Sequence, residues 1–311
     1  MSSLILLRRI RVENANAIAG LTYGFPAITH FLGFSHALSR KLKETHGLNI
    51  NGCAVVSHEH QIHAHTSGRD YQFALTRNPL TRDAKTASFN EEGRMHMTVS
   101  LLLECHGEIP NGEYGQRDLA EHLRQVCPTL RLAGGIIVDI QAITVIAMPS
   151  NSRDLCRLQW QLMPGFALRD RSGWLGEHYQ TLLENDPNTT MLDAWLDFAA
   201  LKFQAETPEE GDMREGEPAS WHYVPKPNPG YLVPLMTGYQ RISELYSPGV
   251  VSNARDAETP FAFTEAVYGV GEWCGLHRIQ SLDEIFWRFH TTETGYYCQG
   301  AGAPVTSAHS K

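Results

Sequence analysis

Four cations, Arg77, Arg82, Lys85 and Arg94, fall within one stretch, LTRNPLTRDAKTASFNEEGR from Leu75 to Arg94, among Thr76, Asn78, Thr81, Thr86 and Ser88. Donors at this density suit phosphate and sugar oxygens, the groups that position a protein on a nucleic acid without reading its sequence. The stretch has neither helical nor strand periodicity, and an ordinary solvated loop has the same composition. A second segment of this character, Ser252-Asn253-Ala-Arg255-Asp256-Ala-Glu-Thr-Pro260, sets an arginine and an asparagine in a break between apolar runs. The Arg255 guanidinium suits phosphate better than lysine would, although Asp256 or Glu258 could hold it structurally.

Histidines offer two other chemistries. His58, His60, His63 and His65 with Glu59 have the donors for zinc, copper or nickel. In a regular strand, however, His58 and His60 face one way and His63 and His65 the other. Ile62 also occupies the second histidine position of a His-Glu-x-x-His pattern. A polar, partly exposed strand end is the expectation, with no metal. His30 and His36 could serve as the general base of a metal-independent ribonuclease, or simply pack.

Other catalytic patterns fail. There is no Gly-x-Ser-x-Gly, no phosphate loop ending in Gly-Lys-Ser/Thr and no zinc-deaminase pairing. Gly269-Val-Gly271-Glu-Trp-Cys-Gly275 misplaces its third glycine by one against a dinucleotide fingerprint, so no cofactor is expected. Its glycines suit close backbone approach to a partner or to RNA phosphate.

The elements that must position these groups are legible in the first half. Leu4 to Asn14 alternates as a strand around Leu4, Leu6, Ile10 and Val12. Pro26 to Lys43 repeats Ile28, Phe31, Leu32, Leu38 and Leu42 at helical spacing. The valine-rich CAVVSHEHQIHAH gives a second strand, Met95 to Cys105 a third, Gln116 to Cys127 a second helix stopped by Pro128, and IIVDIQAITVIAM a fourth strand. Strand, helix, strand, strand, helix, strand is the split βαβ order of ferredoxin-like and RNA-recognition domains. The expected fold is therefore α+β: a ferredoxin-like βαββαβ domain over residues 1–150, with the basic stretch 75–94 as a long insertion projecting between its second and third strands. No aromatic RNP signature lies on the strands, so base stacking on the sheet face is not expected.

Residues 151–311 read as a mixed α/β half. Trp160 to Leu168 suggests a strand or turn, Gly173 to Asn185 and Thr190 to Phe203 suggest helices, and Ser281 to His290 suggests a short closing helix with Leu282, Ile285, Phe286 and Phe289 on one face. A flexible acidic loop is expected at 206–218. Between Glu206 and Glu217 six acids face Arg214 alone, more than half of the chain's net charge of -8. The remainder is close enough to neutral to allow basic grooves, but not a basic surface.

No apolar run has the length of a membrane span. The start, MSSLILLRRIRVENANA, has the wrong order for a secretory signal and reads as a strand. Six scattered cysteines without a Cys-x-x-Cys pair fit a reducing cytoplasm.

Several short motifs together resemble a known family. They are Asn14-Ala-Asn16-Ala, Tyr23-Gly-Phe-Pro26, Leu75-Thr-Arg-Asn-Pro-Leu80 with Arg82-Asp83, Glu91-Glu-Gly-Arg94, Arg131-Leu-Ala-Gly-Gly135, Pro164-Gly-Phe-Ala-Leu168, Asn253-Ala-Arg-Asp256 with Glu258-Thr-Pro260, and Gly271-Glu-Trp273. The chain resembles the Csy-type CRISPR family, in its second, Cas-five-like subunit of type I-F surveillance complexes. The resemblance implies a non-catalytic RAMP-superfamily protein that holds the five-prime handle of a guide RNA. Its implied partners are that RNA, the Csy large subunit, the Csy backbone subunit and target DNA within the complex. In such complexes base pairing reads sequence and protein holds backbone and shape. The matched positions imply RNA contact by Asn14, Asn16, Arg77, Asn78, Arg82, Arg94, Arg131, Asn253 and Arg255. A metal-independent endoribonuclease acting on CRISPR repeat RNA, as in related RAMP proteins, is the alternative. The histidine cluster and the acidic loop lie outside the pattern.

Overall fold

The computed structural model describes residues 2–76, 79–81, 83–206, 219–254 and 256–300. In the first half β1 (Ser2–Asn16), α1 (Ile28–His46), β2 (Asn49–Ile62), β3 (Arg94–His106), α2 (Glu113–Val126) and β4 (Gly135–Ala147) follow one another. The second half holds α3 (Ser152–Leu162), β5 (Phe166–Asp170), α4 (Ser172–Asn185), α5 (Met191–Ala199), β6 (Tyr231–Arg241), β7 (Thr264–Gly275), β8 (Phe286–Thr291) and β9 (Gly295–Gly300). The protein is α+β, with one large antiparallel sheet and, among the described residues, five α-helices.

From one edge, the sheet runs through the short strand Arg131–Leu132, then β4, β1, β3, β2, β5, β7, β6, β9 and β8. Its far end returns to its middle. Ser57 and Val56 of β2 pair with Phe166 and Ala167 of β5, while Ala54 and Cys53 pair with Phe286 and Trp287 of β8 on the same edge. Strands β2, β5, β7, β6, β9 and β8 therefore form a closed ring of pairings. The expected helix over Ser281–His290 is replaced by one 3-10 turn, Leu282–Glu284, and then β8. Pairing with β2 overrides the helix-like spacing of Leu282, Ile285, Phe286 and Phe289. Trp160–Leu162 closes α3, and Phe166–Leu168 opens β5.

β1 is apolar on both faces because both are covered. Ile5, Leu7, Ile10 and Val12 pack with Phe31, Leu38 and Leu42 of α1 and Leu119 and Leu123 of α2. Leu4 and Leu6 pack the opposite way, with Leu158 and Leu162 of α3 and with Leu102 and Ala54. Each such leucine or isoleucine contributes about 1.5–3 kcal/mol by leaving water. The alternation expected to place Leu4, Leu6, Ile10 and Val12 on one face is thus broken. The β1–β3 register shifts between Leu7 and Ile10, where Arg9 takes a left-handed φ of 48°. The bulge exchanges the faces for Ile10 and Val12, and a second shift between Val12 and Ala15, where Asn14 takes φ 55°, exchanges them again.

Candidate nucleic-acid interface

Beyond the bulge, the face of β3 opposite α1 and α2 is polar. Arg94, His96, Thr98 and Ser100 alternate with Met95, Met97, Val99 and Leu101, which are buried in the core. Helix α3 covers this face only at the Leu4, Leu6 and Leu102 end. The other end carries the end of β1, the base of the insertion and the turn before β4.

These three meet at Asn16. Arg94 Nη1 donates to Asn16 Oδ1 at 2.8 Å and to the Asn14 carbonyl at 3.4 Å. Its Nε and Nη2 donate to Glu92 Oε2 at 2.8 and 2.6 Å. Asn16 Nδ2 donates onward to His30 Nε2 on α1 at 3.4 Å, and the Asn16 backbone N–H donates to the Ala133 carbonyl at 2.8 Å. The turn that carries Ala133 needs its glycines. A Cβ at Gly135 would stand 2.6 Å from the Glu13 carbonyl oxygen and 2.9 Å from the Ala15 nitrogen.

The site residues expected from sequence separate accordingly. Asn16 and Arg94 are half-buried and spend most of their donors on each other and their neighbours, so they brace the strand end. Asn14 is exposed beside them at φ 55°, its N–H donating to His96 Nδ1 at 3.3 Å. Arg131 is exposed on the short edge strand, opposite Ile136. Asn253 is exposed at φ 59° in a separate turn, where Asp256 accepts from Glu258 N–H and the Thr259 hydroxyl. Arg77, Asn78, Arg82 and Arg255 lie outside the described residues, as does most of the acidic segment.

The projecting segment starts earlier than the basic stretch. A hairpin pairs Ala64–Ser67 with Asp70–Phe73, and a second small ladder joins Leu75–Thr76 to Asn90–Glu91. The ring of His63 meets that of His96 edge-on at 4.2 Å. Burial, and then the charge of His96, lowers the pKa of His63. His96 is not among the site residues expected from sequence, whereas pairing of Glu92 with Arg94 follows the expectation that Glu91 and Glu92 pair with Arg82 or Arg94. The period-two pattern of RMHMTVS carried the signal for His96, which shares a face with Arg94.

The histidine run departs from its expected alternation because the β2–β3 register shifts between Ser57 and Glu59. His58 turns to the α3 face and His60 lines a cleft with Phe25, Phe166 and Trp273. His58 Nδ1 lies 2.7 Å from the Pro164 carbonyl, which can only accept, so Nδ1 carries the proton. Nε2 then accepts from Ser100 Oγ at 2.7 Å, and Ser100 Oγ accepts the Arg9 N–H at 2.9 Å. Burial lowers the pKa of His58. No group of three metal-ligating side chains gathers among the described residues.

His36 stands edge-on to Phe289 at 4.2 Å, and burial followed by the charge of Arg40 lowers its pKa. The glycines before Trp273 permit internal approach, not the external contact expected of them. A Cβ at Gly269 would stand 2.3 Å from Ser172 Oγ, and one at Gly271 would stand 3.1 Å from Leu168 Cδ1.

A family model described as CRISPR-associated protein (Cas_Csy2) matches residues 5–298. A CRISPR-associated protein Csy2 of Pseudomonas aeruginosa (strain UCBPP-PA14) is 38% identical over 302 residues, covering 93% of this chain and 91% of that protein.

Proposed function

The chain belongs to the Csy2 family of CRISPR-associated proteins, and on that premise we propose that it is a non-catalytic, RNA-holding subunit of a type I-F Csy interference complex. In this reading it grips the five-prime handle of the guide RNA, pairs with the large subunit and abuts a backbone subunit, with target DNA bound within the complex. We read residues 1–150 as a ferredoxin-like RAMP domain and 151–311 as a mixed subdomain. The strand order β4, β1, β3, β2, with α1 and α2 sharing one core, supports that reading. Six free cysteines, five of them buried, support a cytoplasmic setting.

The observation that carries the proposal is the Arg94–Asn16 brace. It ties the base of a donor-rich insertion to the end of β1 and, through Ala133, to the turn beside Arg131. The base of the insertion, the exposed Asn14 and the segment of Arg131 are thereby tied to one strand end, which supports a backbone-gripping surface there. The test is the affinity of the purified chain, with its large-subunit partner, for handle RNA. Arg77→Ala with Arg82→Ala is expected to weaken binding, and unchanged affinity would remove the role given to the insertion.

One contact favours a second reading, a metal-independent endoribonuclease. His30 touches Asn16 at the same strand end. Cleavage of repeat RNA in EDTA that is lost on His30→Ala or His36→Ala would establish it.

A further inference from the structure

The β1 bulge sets two arginines where a regular strand would set one. Leu7 pairs with Leu101 and Ile10 with Val99, which leaves Arg8 and Arg9 together opposite Ser100 of β3. Leu4 and Leu6 pack toward α3, and Arg8, next in that row, lies just past the cover of the helix. Arg9 turns to the same side, because its charge acts on His58, which bonds to Ser100 on the face opposite α1 and α2. The Arg9 N–H donates to Ser100 Oγ at 2.9 Å, which fixes the bulge. Arg9 sits there at φ 48°, a left-handed conformation that is costly for any residue with a side chain and that persists where it aims a group.

The pair has no counter-charge. Arg11 has Glu13 and Arg94 has Glu92. Among the described residues neither Arg8 nor Arg9 has an ion pair, a side-chain hydrogen bond or an aromatic ring against its guanidinium. Glu59, exposed on β2, also acts on His58 but pairs with neither arginine. Both arginines are half-buried, and Arg8 Nε is closed off from water with no acceptor. Two like charges side by side, partly desolvated and unpaired, weigh against the fold until an anion from outside joins them.

The neighbouring side chains identify that anion. On this face β3 shows Ser100, Thr98, His96 and Arg94 and no apolar anchor, whereas the buried centre of a protein interface is apolar and aromatic. Hydroxyl, imidazole and guanidinium groups in a row suit the phosphates and sugars of a nucleic-acid backbone. The row ends at the Arg94–Asn16 brace, roughly 20 Å along the strand from Ser100. We propose that Arg8 and Arg9 clamp one phosphodiester of the handle RNA, whose backbone crosses the polar face of β3 from the brace to the edge of α3. Each guanidinium presents a planar fork to the phosphate oxygens, and the bulge fixes the two forks side by side.

This inference rests on the RNA-holding reading above, and its test separates the two. The full chain, purified with its large-subunit partner, is titrated with handle RNA as wild type, as Arg9→Gly, and as Arg8→Gln combined with Arg9→Gly. Glycine suits the left-handed position, so Arg9→Gly is expected to unfold at the wild-type temperature or above while binding RNA about tenfold more weakly. An arginine with only a structural role would not give that combination. The double variant is expected to reduce the slope of log affinity against log salt by about 0.7, the loss of one phosphate contact. Handle RNAs carrying a methylphosphonate at one position at a time are expected to show one position that weakens the wild type and has no effect on the double variant. Equal affinity and slope in all three proteins, or one methylphosphonate profile shared by wild type and double variant, overturns the clamp alone. So does loss of the large subunit with RNA binding unchanged, which would make this face a protein interface. A wild type that does not bind handle RNA overturns the RNA-holding reading and this inference together.

Discussion

Arg94 reaches from β3 across to Asn16 at the end of β1, 2.8 Å from Nη1 to Oδ1, and the same guanidinium clamps Glu92 at the base of the insertion. The side chains of Arg94 and Glu92 are both 30% exposed, so solvent screens part of the ion pair, and the hydrogen bonds carry most of its effect. Arg94→Ala is expected to lower the unfolding free energy by about 1–2 kcal/mol, read from denaturant unfolding. It is also expected to weaken handle RNA binding by loosening Asn14 and the insertion. A variant with wild-type stability would show that the brace is dispensable.

Glu272 is buried in β7, its side chain 3% exposed, with Arg171 at 2.7 and 2.8 Å and Arg169 at 3.8 Å. Glu284 also pairs with Arg169, from a side chain that is 32% exposed. Removing the buried carboxylate leaves two guanidinium groups under-compensated, one of them almost fully buried. Glu272→Gln is expected to destabilise by about 3–5 kcal/mol, and Glu284→Gln by clearly less. Equal losses in the two variants, measured by urea unfolding, would contradict this ranking.

His58 sets a pH dependence. Burial lowers its pKa below the ordinary 6.5; Arg9 lowers it further, while the Pro164 hydrogen bond and Glu59 oppose. The unfolded chain therefore takes up the proton first. Stability is full above about pH 6.5 and declines as the pH falls from there to the folded pKa. His30 and His36, also lowered by burial, act in the same sense. Thermal unfolding at about pH 7.5 and about pH 5.5 is expected to show a smaller acid loss for His58→Gln than for the wild type. Identical losses would remove His58 from the explanation.

Arg131 is exposed, with no ion pair found for it among the described residues. If it neutralises one phosphate of single-stranded RNA, Arg131→Ala lowers the slope of log affinity against log salt by about 0.7. An unchanged slope with unchanged affinity would exclude Arg131 from the interface.

Cysteine reactivity is expected to be confined. Burial pushes the thiols of Cys53, Cys127 and Cys298 up to about 12 and that of Cys105 to about 11, and Cys274 is buried as well. Cys156 is exposed on α3. Iodoacetamide labelling of the native chain followed by peptide mapping is expected to find Cys156 first and the others only after unfolding.

The elements that owe their form to local pattern were legible in the sequence. Leu32, Leu38 and Leu42 announce α1, and Leu119 and Leu123 announce α2, because one face of each helix repeats at the helical period. Features fixed by distant partners were not. The bulge at Arg9 exchanges the faces of β1, and the shift at His58 separates it from His60, with no unusual residue to mark either. Phe286 reads as part of a helix until Ala54 is known to lie beside it. Of the site, the meeting of Asn14, Asn16 and Arg94 emerges only from long-range strand pairing, whereas the run of donors from Arg77 to Arg94 was plain in composition.

The edge of β2 that β5 and β8 divide between them has a consequence for biosynthesis. On the ribosome, β1 and β3 can complete their ladders once β4 is made, but Cys53 and Ala54 must wait for Phe286 and Trp287, more than two hundred residues further along the chain. A nascent or truncated chain ending between Asp170 and Phe286 presents that segment of β2 as an open, apolar template for another strand. Pairing of β8 with β2 is therefore the step that seals this edge against another strand.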